Sequence, residues 1–267
     1  MRGLLAGATG LVLVLGAADV SAQDTAYVPT LSTTAQRVCT SDTRQSVLLD
    51  ARTGAPLGQP ATTRETVRFH AAAAGDGGYL FILRFDSDEG DIELDARIAA
   101  DGSVMAAEVA GSAVAGLIAA ELTDAEQLAL FMARDIPELA LLGRRYGTGD
   151  SYYSAAMNQT LLEGVIGRLD IPFPLHGVID ITYRGAGMAQ GRASREFSGT
   201  ITVEGRDTFT NSGVEIRYLG QFDISHDAET GLLLSSHSDH RSSVLRNASL
   251  AHDSVATVAV TCEIRPL

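Results

Sequence analysis

The chain has 267 residues, with 33 acidic against 20 basic side chains and a formal net charge of −13; every basic residue is Arg, and there is no Trp. A surface this negative repels phosphate backbones and anionic headgroups, which argues against nucleic acid and anionic membrane surfaces as partners. The length suits one large β-rich domain or two small ones and is sufficient to bury a substantial core.

Residues 1–22 have the three parts of an export signal: Arg2, the apolar run Leu4 to Leu15, and the small residues Val20, Ser21 and Ala22 before Gln23. The apolar run is short of the ~20 residues a spanning helix requires, and no later stretch is long and uncharged enough to replace it. The expectation is an exported protein, periplasmic or extracellular, that does not span the membrane. Residues 23–36 are rich in Thr, Ser and Ala and read as a flexible leader, which leaves 37–267 as a single β-rich domain. Cys39 and Cys262 are the two cysteines, and export would place them in an oxidising space where such a pair closes.

Period-two patterning begins at Thr66, where Val67 and Phe69 alternate with Arg68 and His70. The turn Gly75-Asp76-Gly77-Gly78 leads into an apolar strand from Tyr79 to Phe85. Asp91 to Ile98 alternates cleanly, and Asp101-Gly102 makes a hairpin into Val104 to Val109. The period then changes. Ser112 can cap an Ala-rich segment, Thr123 and Glu126 form a capping box, and Pro137 breaks or restarts a helix that Gly143 ends, so helices are expected over about 112–145. Residues 151–165 fit helix or strand. Strands resume at Val178 to Tyr183, Glu196 to Val203, Val214 to Ser225, Leu232 to Arg241 and Val255 to Ile264. The fold class expected from this order is α+β, a curved antiparallel β-sheet wrapping a central helical insertion.

Gly149-Asp150-Ser151-Tyr152 restarting the chain after the helices, and Phe222-Asp223 with Thr230-Gly231 framing a hairpin, resemble the LolA/LolB-type half-barrel of bacterial exported proteins. The resemblance implies a curved sheet over an inserted helical stretch. It also implies an apolar concavity of the kind in which LolA relatives carry lipoproteins, but it assigns no binding residue of this chain.

Gly149-Asp150-Ser151 also invites comparison with the Gly-Asp-Ser block of serine esterases, making Ser151 the candidate nucleophile. Asp239 and His240 are late enough to complete a relay, but as neighbours on a strand they point to opposite faces. His226, His237 and His240 raise a metal reading, of which only His237 with Asp239 survives as a fragment, because zinc sites use three or four convergent ligands. The acidic run from Asp86 to Asp95 fails the EF-hand pattern, since Gly90 and Asp91 occupy the fifth and sixth positions and Arg97 the twelfth. No phosphate-binding glycine loop is present and no cofactor is expected.

The sequence thus favours a non-catalytic envelope protein that binds a lipid or other hydrophobic ligand in a groove between sheet and helices, with Leu128, Phe131 and Met132 facing that groove. Two alternatives stay open: a secreted serine hydrolase using Ser151, and a structural module that binds another envelope protein.

Overall fold

Strict alternation along long segments commits this chain to one antiparallel sheet. The computed structural model describes residues 26–46, 53, 61–87, 90–111, 137–151, 175–207, 213–247 and 249–267. Ten strands run β1 (Ala35–Ser46), β2 (Ala61–Ala73), β3 (Tyr79–Ser87), β4 (Gly90–Ile98), β5 (Val104–Gly111), β6 (Leu175–Ala189), β7 (Arg192–Arg206), β8 (Val214–Asp227), β9 (Leu233–Arg246) and β10 (Ser249–Pro266). They form a single sheet in the order β5-β4-β3-β2-β1-β10-β9-β8-β7-β6, so the first and last strands pair at its centre.

The expected α+β class is corrected by this architecture. Among the described residues the only helix is α1 (Pro137–Leu141), five residues long, and everything else of regular structure is antiparallel strand. Of the helices expected over 112–145, residues 112–136 lie outside the described residues. Pro137 opens α1, where its missing N–H costs nothing, and Gly143 at φ 70° stops the chain behind it. A side chain at Gly143 would be strained by that φ and would press on Asp101. No helix among the described residues is long and apolar enough to cross a membrane.

The sheet curls around α1. In the strand order β4 and β6 stand eight spacings apart, about 38 Å if the sheet were flat at ~4.8 Å per strand. Yet Leu142 packs against Gly102 in the β4–β5 turn, and Gly149, seven residues on, donates its N–H to Tyr183 of β6 at 2.8 Å. Seven extended residues reach at most about 25 Å, so the two flanks of the sheet must bend toward each other. Ser151 continues the contact by bridging Thr182.

The space between the flanks is filled at one end by a plug. Leu139, Leu141 and Leu142 are buried there with Tyr146, and one contiguous core joins them to Phe69, Phe81 and Leu94 on one side and to Tyr183 and Phe197 on the other. Residues 26–34, within the segment that composition reads as a leader, run through this core as well. Tyr27 and Leu31 are buried, and Tyr27 exchanges backbone hydrogen bonds of 2.7 and 2.8 Å with Tyr146. These two large apolar side chains set this stretch apart from the surrounding Ser, Thr and Ala.

Two features tie the seam to the plug. Cys39 and Cys262 are directly opposed on β1 and β10, buried, and joined as a disulfide, as an oxidising compartment would leave them. Two residues before Cys39, Arg37 meets Glu138 of α1 in a buried two-pronged ion pair, with Nε to Oε1 at 2.8 Å and Nη2 to Oε2 at 3.3 Å. Glu138 Oε1 also accepts the Leu233 N–H at 2.8 Å, and the guanidinium lies 4.9 Å from the Phe69 ring centroid. A buried charge with these partners is compensated on several sides.

Candidate functional site

Sheet register sorts the side chains into an inner face, toward the plug, and an outer face. The outer face is charged. Arg64 pairs with Asp42 at 2.9 Å, Arg68 with Asp86 at 2.7 Å, Arg84 with Glu93 at 2.8 Å and Arg241 with Asp253 at 2.6 Å, each between adjacent strands. Such a surface is hydrated, whereas lipid-facing strands carry an apolar band.

The inner face continues past the plug, apolar along β7 and β8 and carrying Ser236, Ser238, His240 and Ser242 on β9. On β8, Ile216, Tyr218, Gly220 and Phe222 follow Ile224 away from the core, and register places them beside Ile201 and Val203 of β7 and Ser238, His240 and Ser242 of β9. Val258 and Ala256 of β10 extend the same wall, and Thr43 of β1 lies opposite Val258. Ile201, Ile216, Phe222 and Val258 are each half-buried.

Three polar side chains form a string on this wall. Tyr218 Oη is 2.6 Å from Nδ1 of His240, and Nε2 of the same ring is 2.8 Å from Ser238 Oγ. His240 stacks on the Tyr218 ring at 5.6 Å and meets the Phe222 ring edge-on at 5.4 Å. Gly220 makes room for it. A Cβ there would come within 2.6 Å of Ile201 and 2.9 Å of His240 Nδ1, so only glycine lets the imidazole lie across β8. Burial pushes His240 below the usual imidazole range, only partly countered by the Asp239 carboxylate, and raises Tyr218 to about 12. At neutral pH both groups are therefore uncharged.

A serine hydrogen-bonded to a histidine suggests acyl transfer, but two parts of that machinery are missing around this string. The partner of the second ring nitrogen is a neutral phenol, which gives a developing imidazolium none of the stabilisation a carboxylate supplies. Ser238 is flanked in register by Phe222 and Val258, so the amides around it belong to the sheet ladder and do not converge on an oxyanion. What the string offers is hydrogen bonding. Each hydroxyl uses one contact on His240 and keeps capacity for another partner.

The residues singled out from sequence are placed as follows. Leu128, Phe131 and Met132 lie outside the described residues. Ser151 is exposed and bridges Thr182 on β6, with β7 and β8 between that strand and His240 on β9. His237 and Asp239 face outward, both about half exposed, with Nε2 and Oδ2 3.3 Å apart, and Thr257 donates to Asp239 at 2.7 Å. Among the described residues no group of three or more His, Cys, Asp or Glu side chains could hold a metal. Asp239 and His240 do point to opposite faces. No motif in the sequence marks Tyr218 or Ser238. The signal available was the even-numbered alternation of β8 and β9, but only register brings Tyr218 and His240 together.

A second hollow, about 240 Å³ and open, is lined by Arg192, Ala193, Asp227 and Glu229. It is the underside of a turn: Asp227 accepts from Arg192, from the amides of Glu229 and Thr230 and from the Thr230 hydroxyl, which leaves its carboxylate committed.

No family model matches this chain, and no curated protein does. Among solved structures, an outer membrane channel from Pseudomonas putida F1 aligns over 88% of this chain and 98% of its own at 8% identity, with a TM-score of 0.22. A superposition that poor carries no structural or functional inference.

Proposed function

We propose that this is an exported envelope protein that binds a lipid or other hydrophobic ligand on the inner wall of its curled sheet. The supporting observation is the contrast between faces of the same strands. On β8, Leu219, Gln221 and Asp223 point outward, while Tyr218, Gly220 and Phe222 face inward on a wall where Ile201, Ile216, Tyr218, Phe222 and Val258 are only half-buried beyond the plug. Apolar side chains on the sheltered side of a sheet, with a few placed polar groups among them, are the usual lining of a small-molecule site.

The test uses the uncharged fluorophore N-phenyl-1-naphthylamine and two variants of neighbouring residues. Phe222→Glu puts a carboxylate on the inner wall; Leu219→Glu puts one on the outer face of the same strand. Wild type and Leu219→Glu should enhance the fluorescence saturably, and Phe222→Glu, checked for folding by circular dichroism, should not. Equal enhancement by all three, or none by wild type, would refute the reading.

A further inference from the structure

Resting on that reading, we propose that the Tyr218–His240–Ser238 string is the anchor for the ligand's polar head, and that it selects an uncharged hydroxyl or carbonyl head over a carboxylate, phosphate or ammonium.

The tautomer of His240 sets what the string presents to a ligand. If Tyr218 donates to Nδ1, then Nε2–H donates to Ser238, whose own O–H is left to point at a ligand while the Tyr218 oxygen can accept. In the other tautomer every bond reverses, and Tyr218 offers the free O–H while Ser238 accepts. The string therefore presents one donor and one acceptor in either setting, and the His240 tautomer decides which end is which. A hydroxyl, which both donates and accepts, can meet both ends in either setting, and a carbonyl, which only accepts, can meet the donor in either.

Charge decides the rest. The register neighbours of the string on the inner wall are Val203, Gly220, Phe222, Ser242, Ala256 and Val258, none of them ionisable. Asp239 belongs to the outer face, and it is the charge felt at His240. Among the described residues, an anionic head at the string would have no cation in register with it, and a cationic head no carboxylate. Either would lose its hydration without compensation. A neutral head gives up only hydrogen bonds that the string replaces.

Competition for bound N-phenyl-1-naphthylamine at pH 8 tests this with decan-1-ol, decanoate and decylamine, which share a chain and differ in head. Decan-1-ol should displace the probe at least about tenfold more tightly than either charged amphiphile. Tyr218→Phe and Ser238→Ala, each compared with its own probe affinity, should weaken decan-1-ol about fivefold, the loss of one ordinary hydrogen bond. Ser238→Thr, which keeps the hydroxyl, should restore it. Decanoate or decylamine binding as well as decan-1-ol, or unchanged decan-1-ol affinity in both hydroxyl-deleted variants, would overturn the anchor while the binding reading stood. Failure of the wild-type protein to bind the probe at all would overturn both.

Discussion

Replacing Glu138 with Ala should be among the most damaging single changes in this protein. Arg37 is 1% exposed and Glu138 fully buried, and the carboxylate holds both the guanidinium and the Leu233 amide. Truncation strands a buried cation, a loss of about 3–5 kcal/mol, and orphans an amide worth about 1–3 kcal/mol more. These terms share one site and do not simply add, so about 4–6 kcal/mol is expected. Because that is a large share of the 5–15 kcal/mol that holds a typical domain together, the variant should be close to unfolding. With no Trp in the chain, urea unfolding followed by far-UV circular dichroism is the assay. The paired replacement Arg37→Met with Glu138→Leu removes both charges and should recover most of the loss, since a buried ion pair exchanged for packed apolar side chains is often neutral. A Glu138→Ala variant within about 1 kcal/mol of wild type would refute the reasoning that the plug is held to the seam by this pair.

Three further outcomes follow from the same structure. His226 is fully buried, packs edge-on against Phe197, and closes no full hydrogen bond at either ring nitrogen; burial pushes it down to about 4, only partly offset by the Glu138 carboxylate and the Gly231 backbone. Its stabilising contribution is present above the unfolded value of 6.5 and is lost as pH falls toward 4, about 3 kcal/mol in all, and His226→Leu should flatten that part of a stability-versus-pH curve. The disulfide closes a loop of 223 residues, so replacing both cysteines with Ser should destabilise by up to about 5 kcal/mol, read as a lower urea midpoint. By contrast, Arg84→Ala removes an exposed, solvent-screened pair with Glu93 and should leave the urea midpoint essentially unchanged at both low and high salt.

Most of the sheet was legible because its inward residues alternate with charged ones. Val67, Phe69 and Ala71 are buried while Arg68 stays exposed, and the expected strands from Tyr79, Asp91, Val104, Val178, Glu196, Val214, Leu232 and Val255 all fall on described strands. β1 was not legible. Its inward positions are Arg37, Cys39, Ser41 and Thr43, which carry no apolar period; pairing with β2 on one side and β10 on the other makes it a strand. The α+β expectation leaned on capping signals and Ala content over 112–145, of which the described part, 137–145, holds only the five-residue α1, while the rest of the described regular structure is strand. The candidate site was half legible. His240 was read correctly as facing away from Asp239, but its partners come from 22 residues upstream on another strand and from a serine with no motif around it. Side-chain parity is written in a sequence; which strands lie side by side, and in what register, is a tertiary property.

The central claim, that the inner wall beyond the plug carries an uncharged amphiphile, is tested most directly by native mass spectrometry of protein purified from the cells that make it, with solvent extraction of whatever it holds. The structure predicts a discrete adduct that extracts into organic solvent, bears a neutral hydroxyl or carbonyl head and is absent from Phe222→Glu but present on Leu219→Glu. A bare polypeptide mass from wild type, together with no saturable enhancement of N-phenyl-1-naphthylamine, would contradict it.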